Sequence, residues 1–275
     1  MGIAIVIYHQ NIMSKNKYSV LSFSGGMDST SLIMRLLNEG YNIHAISFNY
    51  GQKHQIEIDL AKKNIIYLKK NGFDKQITHK VFDISKVFEN FSSSLLNDEI
   101  EVPQGHYEDS NMKSTFVPNR NAIFFSMIYG YALSIAKDLS DNISISMATH
   151  SGDHAIYPDC RLEFFEQLFN SFQIGNWDSD KIKLYLPYID KDKAGILLDA
   201  DKSINELGLN FDEIFKNTIT SYNPNEGGVS SGKSGSDIER ILAFNSMNKK
   251  DPIQYQESWE EVLRHALKVE KEFKG

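Results

Sequence analysis

The chain of 275 residues holds a single cysteine, Cys160. One thiol excludes an intrachain disulfide and any all-cysteine metal cage, and it fits a reducing cytoplasm. No apolar run approaches the roughly 20 residues of a spanning helix, so a soluble protein with no membrane partner is expected. Positive charge is also short. The 29 Lys and Arg against 36 Asp and Glu leave a net charge of −7. No global basic field is therefore available for nucleic-acid phosphates, and direct DNA or RNA binding is not expected. Residues 1–12 contain an apolar stretch, Ile3–Tyr8, that is too short for a signal sequence and lacks basic residues before it; no function is read from it. The remaining composition, 41% hydrophobic, 24% charged and 12% aromatic, is that of a folded chain with a sizeable core.

Along the chain, strand and helix patterns alternate. Tyr18–Phe23 is an apolar run ending near Gly25-Gly26, and Ser31–Leu37 carries apolar residues at helical spacing before a stop at Gly40. Asn42–Tyr50 reads as a second strand, and Gln55–Lys69 as a helix with Ile56, Leu60, Ile65 and Leu68 near one face. Residues 85–116, rich in Ser, Asn, Asp and Glu, are expected to be a mobile insertion near a substrate. Asn121–Lys137 reads as a buried helix, Ile143–Ala148 as a strand and Arg161–Phe172 as a helix. This alternation predicts an α/β fold, a doubly wound parallel sheet with its ligand at the carboxyl edge. From about Leu186 the pattern turns to shorter helices and a glycine-serine loop at 227–236. The expected organisation is a main domain over 13–185 and a small helical subdomain over 186–275.

After the first strand comes Ser24-Gly25-Gly26-Met27-Asp28-Ser29-Thr30. Glycines let backbone approach a phosphate, a helix N-terminus supplies unpaired N–H groups, and Ser24, Ser29 and Thr30 add hydroxyl donors. Asp28 would repel phosphate unless a cation lies between them, so it is expected to work with Mg²⁺. The plainer alternative is a serine N-cap after a glycine turn.

The string resembles the pyrophosphate loop of the N-type ATP pyrophosphatases, which split ATP between the α and β phosphates and adenylate an oxygen. Tyr50-Gly51-Gln52-Lys53-His54 with Glu57, Val117-Pro118-Asn119-Arg120-Asn121, and Tyr157-Pro158-Asp159-Cys160-Arg161 with Phe164 then follow. In order and spacing they resemble the 7-cyano-7-deazaguanine synthase family, from about Ser19 to Tyr255. The resemblance implies an ATP- and Mg²⁺-dependent ligase that activates the carboxylate of 7-carboxy-7-deazaguanine and passes it to ammonia, through an amide to a nitrile. It implies that Ser22, Phe23, Ser24, Gly25, Gly26, Met27, Asp28, Ser29, Thr30, Phe48 and Arg120 hold ATP, with Ser24, Asp28, Ser29, Lys53 and Arg120 acting in the chemistry. Tyr50, Gln52, His54, Asn119, Tyr157, Asp159 and Arg161 are implied to bind the deazaguanine. Arg120 suits phosphate or carboxylate through its planar fork, and Asp159 suits the donor edge of a guanine-like ring. Plainer alternatives stand beside these: a surface ion pair for Arg120, solvated loop positions for Lys53 and His54, and a small buried filler for Cys160. His150 and His154, four apart with Asp153 between, have metal-like spacing, but their position after a strand favours substrate or solvent contacts.

The family resembled carries a four-cysteine zinc site toward its C-terminus. Here the matching positions are Ser221, Ser231, Ser234 and Asp237. Hydroxyls bind Zn²⁺ far more weakly than thiolates, so no zinc is expected and a hydroxyl network or subunit contacts must replace it. Such divergence leaves the final acceptor open. The resemblance extends to antiphage-defence paralogues that join the activated group to a protein amine, and a catalytically silent nucleotide-binding module is a third reading. The same loop, Gly227-Gly228-Val229-Ser230-Ser231-Gly232-Lys233-Ser234, matches the Walker A pattern. A turn-like segment precedes it and only residues 235–275 follow, so a true P-loop is not expected. A homodimer through Asn121–Lys137 is compatible with the sequence.

Overall fold

The computed structural model describes residues 16–52, 56–91, 93, 95–96, 114–155, 157–221 and 228–274. Five parallel strands, β1 (Lys17–Ser22), β2 (Tyr41–Asn49), β3 (Ile77–Asp83), β4 (Ile143–Ser146) and β5 (Ile182–Tyr185), lie in the order β3-β2-β1-β4-β5. The chain winds outward from β1 in one direction through β2 and β3, then crosses back to β4 and β5. That reversal makes the β1–β4 crevice the switch point of a doubly wound sheet, where ligands of such folds bind.

Alternating side chains are buried on both faces, as a parallel sheet requires. Leu21, Ile43 and Ala45 join one apolar cluster with α1 (Met27–Asn38), α2 (Ile56–Leu68), α6 (Lys193–Glu206), α7 (Phe211–Phe215) and α8 (Gly235–Ser246). Val20, Ile46 and Phe48 join the other cluster with α3 (Ser85–Phe88), α4 (Arg120–Leu139) and α5 (Leu162–Gly175). α6 packs directly on α1, so residues beyond 186 share the core of the first strands. A smaller apolar cluster joins α8 to α9 (Trp259–Lys274).

Two strands escape the sequence pattern. β3 and β5 lie at the sheet edges, where β3 leaves most side chains partly or fully exposed and β5 has four residues. Neither shows the apolar run that betrays a central strand. α1 starts at Met27, earlier than the apolar spacing suggests, because the glycine loop runs straight into its first turn. The expectation about membrane-length segments needs correcting at α4. With its small polar residues counted in, this 20-residue helix is long and apolar enough to cross a membrane by length and composition. It lies against β1, β4 and β5, with Phe125, Ile128 and Ala132 fully buried, which is the place of a core helix. The expected insertion lies largely outside the described residues.

Candidate active site

A cavity of about 240 Å³ opens at the carboxyl ends of β1 and β4. Its floor is the glycine loop. Gly25 has φ +87°, and a Cβ there would come within 2.6 Å of the Glu57 carbonyl oxygen in the first turn of α2, so only glycine fits. Ser24 Oγ lies 3.0 Å from Ser29 Oγ, and the N–H groups of Gly25 and Gly26 donate to Ser29 Oγ (3.3 Å) and Ser24 Oγ (3.2 Å). Gly26 is the N-cap of α1 and offers no side-chain cap. The first-turn N–H groups therefore keep their capacity to hold an anion.

Beside the loop stands a charged cluster assembled from four distant segments. Lys193, at the start of α6, places Nζ 3.1 Å from Asp28 Oδ2, 3.1 Å from Glu239 Oε2 and 2.9 Å from His150 Nε2. His150 Nδ1 accepts from the Gly152 N–H at 3.1 Å, and Nε2 lies 3.5 Å from Asp153 Oδ2. A Cβ on Gly152 would meet Glu239 Oε1 at 2.5 Å, which is how α8 closes on this loop. Burial disfavours the Lys193 charge, but Asp28, Glu239 and Asp153 outweigh it and hold the ammonium pKa well above its ordinary value. Burial raises the Glu239 pKa against the pull of Lys193 and His150.

The opposite wall is aromatic. Phe48 and Phe124 stack with centroids 4.2 Å apart, and Tyr50 packs edge-on against Phe124. Arg120 Nη1 donates to Tyr50 Oη at 3.4 Å, with the guanidinium 5.7 Å from the ring centroid. Asn119, in the left-handed region at φ 56°, turns the chain into α4 and sets Arg120 as its first residue. Glu57 belongs to this wall. Its enclosed position and the apolar surroundings push its pKa up to about 7, against the opposing pull of Arg120.

Of the residues expected to act, the cavity brings together Ser22, Phe23, Ser24, Gly26, Met27, Asp28 and Ser29, and also Phe48, Tyr50, Gln52, Arg120 and Tyr157. Gly25 shapes the loop from behind, and Thr30 is wholly buried in α1. Asp159 is buried and accepts from the Asn121 N–H at 3.4 Å, tying the Tyr157–Arg161 turn to the start of α4 without lining the cavity. Asn119 and Arg161 also lie off the lining. Lys53 and His54 lie outside the described residues, as does the side chain of His154. Cys160 lines the cavity, but burial and the nearby Asp153 and Asp159 push its thiol pKa well up, which disfavours a nucleophilic thiolate.

Lys193, Glu239 and buried His150 were not expected in a shared charged site. One signal was available for Lys193. A cation at a helix start opposes the macrodipole, and both α4 and α6 begin with one, Arg120 and Lys193, on the cavity wall.

The donor sets test two metals. Asp28 Oδ1 is buried without a hydrogen-bond partner, and the carboxyl groups of Asp28, Asp153 and Glu239 share the one ammonium of Lys193. Among the described residues no three potential ligands form a metal cage. This fits Mg²⁺, which keeps waters and phosphate oxygens and needs one or two carboxylates from protein. At Ser221, Ser231, Ser234 and Asp237, which the resemblance set against zinc cysteines, the donors do not fit zinc. Ser221 Oγ and Ser231 Oγ donate to Asp237 Oδ2 at 3.0 and 3.4 Å, and the Asp237 N–H donates to Ser234 Oγ at 3.2 Å. Ser234 and Asp237 form a capping box at the start of α8, and burial raises the Asp237 pKa. Deeper still, Arg240 pairs bidentately with Asp251 at 2.6 and 2.9 Å and donates to the Thr218 and Thr220 hydroxyls.

A doubly wound sheet with an uncapped helix start at its switch point, flanked by a carboxylate and two helix-start cations, defines an α/β protein whose crevice suits a phosphate-bearing ligand. The profile of the family described as queuosine biosynthesis protein QueC matches residues 18–248. A 7-cyano-7-deazaguanine synthase of Pseudoalteromonas atlantica is 40% identical over 86% of this chain and 98% of its own length. The 7-cyano-7-deazaguanine synthase 1 of Colwellia psychrerythraea shows the same identity and coverage, and a Marinomonas synthase is 39% identical over 86% of this chain. The chain belongs to the QueC family.

Proposed function

We propose that this chain is an ATP- and Mg²⁺-dependent ligase that adenylates the carboxylate of 7-carboxy-7-deazaguanine and transfers the acyl group to ammonia, giving the amide and then the nitrile. The observation that carries the reading is the pairing, across one cavity, of an uncapped helix start with the Arg120–Tyr50 aromatic wall. One side suits a polyphosphate and the other a flat, anionic ring system.

In the first step a substrate carboxylate oxygen attacks the α-phosphorus, an O–P bond forms, and the bond to pyrophosphate breaks. The first-turn N–H groups of α1, with Ser24 and Ser29, hold the departing charge, at little cost in reorganisation because the helix already orients them. Asp28 and Asp153 would hold the magnesium ion, which neutralises phosphate charge when bound. Arg120 orients the carboxylate or the α-phosphate through its fork. Ammonia then displaces AMP from the acyl carbon; a second activation, on the amide oxygen, would allow loss of that oxygen and of the nitrogen-bound protons to give the nitrile. The C-terminal segment is held without zinc by the serine–aspartate network and the buried Arg240–Asp251 pair.

Replacement of the zinc ligands by Ser221, Ser231, Ser234 and Asp237 supports a second reading. In it the same activation serves a protein amine. Incubation with Mg-ATP and 7-carboxy-7-deazaguanine, with and without ammonium, discriminates the two by pyrophosphate release and product mass. Nitrile formation supports the first reading, and a mass gain on a protein supports the second. Absence of pyrophosphate would contradict both and leave a nucleotide-binding module.

A further inference from the structure

Glu57 places a carboxylate in the cavity wall that neither the nucleotide loop nor the magnesium set uses. Its backbone is fixed against the loop, since its carbonyl oxygen packs on Gly25. Asp28 and Glu239 are engaged by Lys193, and Asp159 is engaged by Asn121. Glu57 lines the cavity together with Arg120 and Tyr50, and the Arg120 guanidinium is the charge whose pull opposes its burial. A half-buried acceptor on a cavity wall is stabilised by a ligand that brings a proton donor. A donor develops at this place in the acyl-transfer step. When ammonia adds to the acyl adenylate, the nitrogen becomes positively charged, close to the carbon that Arg120 orients.

We propose that Glu57 is the general base of the amine-transfer step, an assignment that rests on the activation reading above. The C–N bond forms from the ammonia lone pair, the C–O bond to AMP breaks with its electron pair leaving on the phosphate, and one proton passes from nitrogen to a Glu57 carboxylate oxygen. The product is a neutral amide, and Glu57 returns its proton to solvent after AMP departs. A base whose pKa lies near 7 is matched to this work at neutral pH. Arg120, beside it, keeps the ionised form accessible despite burial. With a protein amine as acceptor the proton balance is the same.

The test separates the two half-reactions in the full-length protein. A pyrophosphate burst without ammonium reports adenylation, and amide formation on adding ammonium reports transfer. For Glu57→Gln the expected result is transfer slowed by about 100-fold or more, a far smaller effect on the burst, and loss of the rise in transfer rate through pH 7 seen in the parent. Glu57→Asp is expected to recover part of the rate and the pH dependence. A burst that falls in proportion to transfer would make Glu57 a substrate-binding group and overturn the assignment, as would an unchanged pH profile. No burst in the parent protein would instead overturn the activation reading, and this assignment with it. The parent burst thus distinguishes the two failures.

Discussion

Two serine- and glycine-rich loops enter helices in this chain, and only one is open. Ser24-Gly25-Gly26 leads into α1 with no side chain over the helix start, and Ser24, Gly26, Met27, Asp28 and Ser29 line the cavity. Ser231-Gly232-Lys233-Ser234 leads into α8 with a complete capping box, Asp237 wholly buried, and Lys233 paired outward to Glu257 at 2.7 Å. The second loop satisfies the Walker A pattern and the first does not. A phosphate needs unpaired N–H groups, and a side chain that satisfies them removes the site. Capping therefore decides which loop is chemical and which is structural, whatever the one-dimensional motif.

The contrast can be broken from either side. The largest effect on chemistry is expected at the open loop: Asp28→Ala should cut pyrophosphate release about 100–1,000-fold while the unfolding midpoint moves little, as read by coupled pyrophosphate assay and thermal melts. At the closed loop the largest effect should be on stability. Asp251→Ala strands the buried Arg240 guanidinium, and denaturant titration is expected to show a loss of about 3–5 kcal/mol. Ser234→Ala removes one cap and should cost about 1 kcal/mol with the pyrophosphate rate unchanged; a collapse of nucleotide turnover would mean the closed loop is chemical after all.

Acid sharpens the same comparison with the smallest effect. Burial holds the His79 pKa down to about 4, helped by Lys62 and Lys69, and its ring lies 2.8 Å from Ser47 Oγ at the cavity floor. The unfolded chain takes up this proton more readily, so the sheet side loses stability as pH falls from about 6.5 toward 4. Asp237 has the opposite sign. Its raised pKa means the folded state takes up the proton first, so acid favours the closed loop and its contribution is lost as pH rises through the folded pKa. Melts of His79→Gln against the parent between pH 6.5 and 4 should show a flatter slope for the variant.

What sequence could show follows the same division. The open loop, Tyr50 and Arg120 sit in short local motifs, each tied to one strand end or helix start, and their roles as neighbours were legible. The four central and flanking helices α1, α2, α4 and α5 follow from apolar spacing, and the doubly wound class follows from alternation. Lys193, His150 and Glu239 could not be joined by reading along the chain, because contacts between α6, the loop after β4 and α8 form only when the helices pack. Edge strands β3 and β5 lack buried alternation for the same reason that they end the sheet. The substitution of Ser and Asp at these positions was visible, but only the geometry shows that they hydrogen-bond to one another through Asp237 Oδ2 and Ser234 Oγ.

The central claim is that the open loop activates a carboxylate while the closed loop needs no metal. The most direct measurement is exchange of labelled pyrophosphate into ATP, dependent on 7-carboxy-7-deazaguanine, by protein stripped with a zinc chelator and supplied with Mg²⁺. The account predicts exchange at the rate of untreated protein, with zinc well below one equivalent in both samples. Exchange that disappears on stripping and returns with zinc would contradict it.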